Sequence, residues 1–226
     1  ENKRKIKKWL AVLAFGVIFL ADILSFSRGG YLGLFAGLIF VLLASWQRIN
    51  KKYKVAISVF LCASVLVMLV PSPVSQRFVS SFDFKEGSNL GRIAMWQKAT
   101  SVIADHPFLG VGIGNYPLEV SPTATYRDPI YAHNTYLDIA VETGILNALF
   151  FIGLLFITVL NFWKKSRQEN IFFFAVISLV IFSAHSLVET AIYSPVVLTL
   201  FLIVLSFDNL SSVETPRRGV STGATK

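Results

Sequence analysis

Six apolar stretches, at 9–27, 31–46, 55–70, 145–163, 171–187 and 193–207, limit what this chain can fold into more than any other feature. A helix that crosses a bilayer needs roughly 20 mostly apolar residues, and the stretches meet or approach that length, those at 31–46, 55–70 and 193–207 being short. In hydrocarbon each backbone N–H and C=O must find its partner inside the segment, so such stretches become helices. With 54% hydrophobic and 15% charged residues and a mean hydropathy of +0.62, the composition lies outside the range of ordinary soluble domains. The expected fold is an all-α integral membrane protein of about six transmembrane helices with one long external loop.

Lysine and arginine collect on the cytoplasmic flanks of membrane helices. Four flanks here are basic: the N-terminus (Lys3, Arg4, Lys5, Lys7, Lys8), the 46–54 connection (Arg48, Lys51, Lys52, Lys54), the 164–170 connection (Lys164, Lys165, Arg167) and the tail (Arg217, Arg218, Lys226). Six spans put all four on one side and make both termini cytoplasmic. The net charge of +8 then comes from these anchors, which can also meet anionic membrane lipids, and is no sign of nucleic-acid binding. The long segment from Pro71 to about Ala132 balances Arg77, Lys85, Arg92, Lys98 and Arg127 against Asp83, Glu86, Asp105, Glu119 and Asp128, and so falls outside. The expected organisation is three transmembrane helices in 1–70, an external loop subdomain in 71–132, three more transmembrane helices in 133–207 and a disordered cytoplasmic tail in 208–226.

The single Cys62 lies in the third stretch and excludes an intrachain disulfide. The first stretch follows basic residues as a signal peptide does, but it is long and lacks a small-residue cleavage site, so it reads as a retained span. The chain starts at Glu1 and turns helical at once, which suggests the C-terminal part of a longer protein.

A connection of about sixty residues is far longer than structureless loops usually are, which argues for a folded or functional segment. Asn89 or Ser88 can cap an amphipathic helix from about Arg92 to Asp105, with Ile93, Trp96, Thr100 and Ile103 on one stripe and Trp96 at the membrane interface. His106 and Pro107 end it, because proline disfavours helix in the residue before it. Gly110, Gly112 and Gly114 resemble a phosphate cradle, yet no strand precedes them and no Lys-Ser/Thr follows. The run therefore reads first as a tight turn, with lipid-phosphate binding as the alternative. From about Asn134 the chain is helical again and runs into the fourth span, with His133 at the helix start.

Ionisable residues at the outer ends of the spans are costly to bury and tend to face a cavity or a partner. Arg28 stands in a Ser27-Arg28-Gly29-Gly30 turn, either as a snorkelling anchor or as a ligand that two glycines let approach closely. Asp22 lies deeper, placed to pair with a cation or to line a wet crevice. His133 is either a helix-start residue or a general base, since an imidazole of ordinary pKa is neutral in part near physiological pH. Asn134, Asp138 and Glu142 share one helix face, as a cavity stripe or a solvated first turn and a half. His185 and Glu189, also four apart, form half a metal site without a convincing third ligand, so structural hydrogen bonding is the better reading.

Taken in order, SRGGYLGLFAGLIF, RIAMWQKA, DHPFLGVGIGNY and AHNTYLDIAVETG resemble the core of the bacterial O-antigen ligase and polymerase family, over residues 25–153. The chain has fewer spans than members of that family usually carry, which fits a C-terminal portion. The resemblance implies a bacterial inner-membrane glycosyltransferase that takes an undecaprenyl-diphosphate-linked glycan donor to a glycan or lipid A core acceptor. It also implies a functional set of Arg28, Arg92 and His133. Arginine forks bind phosphate bidentately, so Arg28 and Arg92 would hold the departing diphosphate while His133 takes the acceptor proton. Direct displacement would invert the anomeric centre, and two arginines would do the electrostatic work of a metal, so no metal or cofactor is expected. Tyr116, Asn134 and Tyr136 are the further substrate-binding candidates, tyrosines being suited to stack on sugar faces. The rival reading is a transporter of a small anion such as bicarbonate, with Asp22, His185 and Glu189 along its path; it would scatter ionisable residues through the membrane depth, whereas these gather at one face.

Overall fold

The computed structural model describes residues 2–46, 50–52, 54, 55, 58, 59, 70–80, 83 and 87–208. They are mostly helical, with no strand among them. In chain order the helices are α1 (Asn2–Leu24), α2 (Arg28–Ser45), α3 (Pro73–Ser80), α4 (Gly87–Asp105), α5 (Tyr116–Val120), α6 (Thr135–Thr143), α7 (Ile145–Lys165), α8 (Asn170–His185) and α9 (Pro195–Ser206), with a 3-10 turn at Ala191–Tyr193 before α9. The expected stretch at 55–70 and the tail beyond 208 lie almost wholly outside the described residues.

By length and composition, α2 and α7 are able to cross a bilayer, while α8 and α9 are apolar but shorter, at 16 and 12 residues. α1 is long enough but carries Lys7, Lys8 and Asp22. Around α7 the outward side chains are large and bare, with Leu149 57%, Phe150 71% and Phe156 63% exposed. A water-facing helix would not present such a surface; a helix in lipid does. Its other face joins α8 and α9 in a core of Leu155, Phe162, Phe172, Val176, Leu179 and Phe201.

α2 lies along α8. Gly29, Gly33 and Gly37 recur every fourth residue and so line one face of α2. A Cβ on Gly33 would stand 3.1 Å from the Ile181 carbonyl oxygen, and one on Gly37 2.6 Å from Ile181 Cγ1. Bare backbone on that face lets the two helices approach as small-residue ridges do in membranes. The Ser-Arg-Gly-Gly segment is not a turn, as the sequence suggested, but the cap and first turn of α2. Ser27 Oγ accepts the Gly30 N–H at 3.1 Å, and the bend lies just before it at Phe26, whose φ is 52°.

The 87–132 segment has its own small core, in which Ala99, Val102 and Tyr116 meet Ala132 and Val141. α4 begins at Gly87, five residues before the expected start, so Asn89 and Ser88 lie inside it and neither caps it. Its buried face is centred on Ala99 and Val102, flanked by Trp96 and Ile103, while Thr100 is exposed and bonds back to the Trp96 and Gln97 carbonyls. α6 does not run on into α7. Gly144, at φ 93°, breaks the two, and a Cβ there would collide with the Phe108 carbonyl. Ile145 N–H donates to the Pro107 carbonyl at 2.9 Å, so the loop is stitched to the head of α7 at that break.

Candidate functional site

Arg28 is the first residue of α2 and only 7% exposed. Its guanidinium reaches across to the α3–α4 region, where Nη2 donates to Ser80 Oγ at 3.0 Å and Nη1 to Asn89 Oδ1. Asn89 in turn donates from Nδ2 to the Ser80 and Asp83 carbonyls, at 3.1 and 2.7 Å. Three residues further along α4, on the same face, Arg92 donates from Nη2 to Glu189 Oε1.

The second oxygen of that carboxylate, Oε2, lies 3.2 Å from His133 Nδ1. An ionised carboxylate only accepts hydrogen bonds, so with Glu189 charged Nδ1 is the donating nitrogen and Nε2 is the ring nitrogen left over. Gly29 closes the arrangement from the α2 side: a Cβ there would stand 2.8 Å from Glu189 Cγ and 2.9 Å from His185 Cδ2. The space the two glycines leave is thus filled by neighbouring side chains, with Asp22 Oδ1 set against Gly30 in the same way.

His133 has a left-handed backbone, φ 51°, which a non-glycine residue adopts at a cost and which collects at functional sites. Its neighbours enforce it. The Ala132 N–H donates to Asp138 Oδ1 at 2.7 Å, and Asn134 caps α6 by accepting the N–H groups of Tyr136 and Leu137. Asp138 Oδ2 accepts from Thr190 Oγ1 at 2.7 Å, which ties the His133 bend to the turn that carries Glu189. Burial pushes the Asp138 carboxyl above the usual carboxylate range, against the hydrogen bonds from Thr190, Ala132 and Asn134.

Glu142 takes the role the glycine run suggested for a phosphate. Its Oε1 accepts the Gly114 N–H at 3.0 Å, its Oε2 accepts the Tyr193 hydroxyl at 2.6 Å, and its own carbonyl accepts from Gly112 N–H. The run is therefore a turn locked onto α6, and of the Asn134–Asp138–Glu142 stripe Asp138 and Glu142 are buried while Asn134 is half-buried at the cap.

A crevice of about 560 Å³ opens in front of His133, lined also by Ser27, Tyr131, His185, Glu189 and Tyr193. The Tyr131 and Tyr193 rings face one another across 5.4 Å at its side. A separate apolar groove of about 730 Å³ is lined by Trp96, Asn134 and Tyr136 and by residues of α7 and α8 as far as Val159. Tyr136 lines that groove and donates its hydroxyl to the Ser183 carbonyl at 3.0 Å; burial raises its pKa. Tyr116 is different. It is 2% exposed within the loop core and burial pushes its pKa up to about 12, so its ring has no free face for a sugar, contrary to expectation.

Arg92 and His133 thus meet on one carboxylate, and Arg28 is the neighbour of the glycine that touches it. The residue missed as a centre was Glu189. Its spacing from His185 had suggested half a metal site, and among the described residues no three His, Cys, Asp or Glu side chains gather in a metal-holding group. No sequence period could have linked position 189 to 92 or 133.

No curated protein matches the chain. A family model described as O-antigen ligase matches residues 9–152, which hold Arg28, Arg92 and His133 and stop short of Glu189. With more than half of its length matched, and with a bare apolar helix beside a cluster of arginine and histidine, this chain belongs to the O-antigen ligase family of membrane proteins.

Proposed function

We propose that the protein is a membrane glycosyltransferase that polymerises or ligates an undecaprenyl-diphosphate-linked glycan at the outer face of the bacterial inner membrane. The observation that supports this most is the meeting of Arg92 and His133 on the two oxygens of Glu189, beside the helix turn that carries Arg28. Two permanently charged guanidiniums suit a diphosphate, and stabilising the charge that develops on a leaving group commonly contributes more than any other effect to such catalysis.

In this reading an acceptor hydroxyl attacks the anomeric carbon. The bond to the diphosphate breaks, its electron pair goes to the oxygen held by Arg28 and Arg92, and the proton passes to His133 Nε2. Attack opposite the leaving group inverts the centre, and the arginines supply the positive charge without a metal. Asn134 and Tyr136 line the apolar groove, and in this reading they contact the donor there. Six spans, cytoplasmic termini and an external 71–132 segment complete the arrangement.

The test is incubation of the full chain, in lipid nanodiscs, with an undecaprenyl-diphosphate oligosaccharide, with and without lipid A core. Lengthened lipid-linked product indicates a polymerase and transfer to core a ligase. An unchanged donor, together with anion flux in vesicles, would replace the proposal with transport.

A further inference from the structure

We infer that Glu189 is a shared carboxylate that couples donor binding to the readiness of His133, a positioning role that rests on the function proposed above. In the present state its charge is divided, with Oε1 on Arg92 and Oε2 on His133. The Glu189 side chain is 27% exposed and that of Arg92 17%. An incoming anion can therefore reach the pair.

Arg92 spends Nη2 on Glu189, and a guanidinium has five N–H donors in a fork that matches phosphate; its Nε, buried without a hydrogen-bond partner among the described residues, lies out of reach of an incoming group. A diphosphate carries more charge than one carboxylate and offers two oxygens to that fork. When it takes Arg92, Glu189 is left facing His133 alone. The carboxylate then holds the ring through Nδ1–H, keeps Nε2 turned to the crevice, and balances the imidazolium that forms as the acceptor proton arrives. Before the donor binds, the same carboxylate occupies Arg92 and is only half committed to the histidine. His185, packed against Gly29 beside Glu189, is the other titratable group at this corner, with Asp22 beyond it against Gly30.

The side chain is separable from the fold at this point. The Glu189 carbonyl accepts from Thr135 N–H at 3.2 Å and from Thr135 Oγ1 at 2.8 Å, so backbone bonds anchor the residue whatever its side chain. It lies beyond the stretch matched by the family model.

The experiment measures two quantities for the full chain in nanodiscs: the affinity for undecaprenyl diphosphate, and kcat with an undecaprenyl-diphosphate oligosaccharide. Glu189→Gln is expected to lower kcat about 10- to 100-fold, by analogy with the loss of a carboxylate that orients a metal-bound histidine, while undecaprenyl diphosphate binds as tightly as to wild type or several-fold more tightly. Glu189→Asp, which keeps the charge on a shorter arm, is expected to recover part of kcat. Wild-type kcat in Glu189→Gln would overturn the inference, and so would affinity and kcat falling together in both variants, the mark of a merely structural residue. A wild-type chain that turns over no donor would instead overturn the function on which the inference rests.

Discussion

His133 meets two demands at once, a left-handed backbone and a ring held against Glu189. The first is conformational strain that glycine does not suffer, worth about 1 kcal/mol. His133→Gly should therefore raise the thermal midpoint of the purified protein while lowering turnover roughly 10²- to 10⁴-fold, the usual contribution of a general base. A drop in both would mean that the ring, not the bend, holds the segment together. Arg28, Arg92 and His133 could be proposed together from the sequence because the stretches that resemble the family carry them, and the fold brings Arg92 and His133 onto one carboxylate. Glu189 was not, since its partners come from α4 and from the bend before α6, and only the tertiary fold joins them. Tyr116 was misread for a related reason: a tyrosine's type says that it can stack, and its 2% exposure says that it cannot.

Among the helices, the contact between α2 and α8 positions Arg28, and its glycine face sets the spacing. Gly37→Ala places a methyl group against Ile181 and should destabilise the protein by about 1–3 kcal/mol, as overpacking does. Because the clash is with a side chain, adding Ile181→Ala should restore much of the thermal midpoint. If the second substitution worsens it, the two helices are not in close contact there. Gly144→Ala is more severe, joining a strained φ to a collision with the Phe108 carbonyl. A loss of about 2 kcal/mol or more is expected, measured by thermal or denaturant unfolding in detergent. The course of α7, α8 and α9 was readable from apolar runs, and the end of α4 from His106–Pro107. The start of α4 and the break at Gly144 were not, because one depends on Asn89 being claimed by Ser80, Asp83 and Arg28, and the other on a contact with a loop distant in sequence.

At the level of the whole molecule, composition announced a membrane protein, and the bare face of α7 has the chemistry of a lipid-facing surface. The proposed sidedness can be checked in a Cys62→Ser background. A membrane-impermeant maleimide should label Thr123→Cys in intact spheroplasts and Gln168→Cys only after permeabilisation; both positions are exposed. The reverse pattern would invert the topology and move the crevice to the cytoplasm. The proposed chemistry stands on Arg28, Arg92 and His133 forming one site. Its most direct test is turnover of an undecaprenyl-diphosphate oligosaccharide by Arg28→Ala, Arg92→Ala, His133→Ala and the Arg92→Ala/His133→Ala double variant, at equal membrane insertion. Each single change should cost about 100-fold or more, and the double should cost little beyond the worse single, as groups acting in one step do. Wild-type turnover in the three single variants would contradict it.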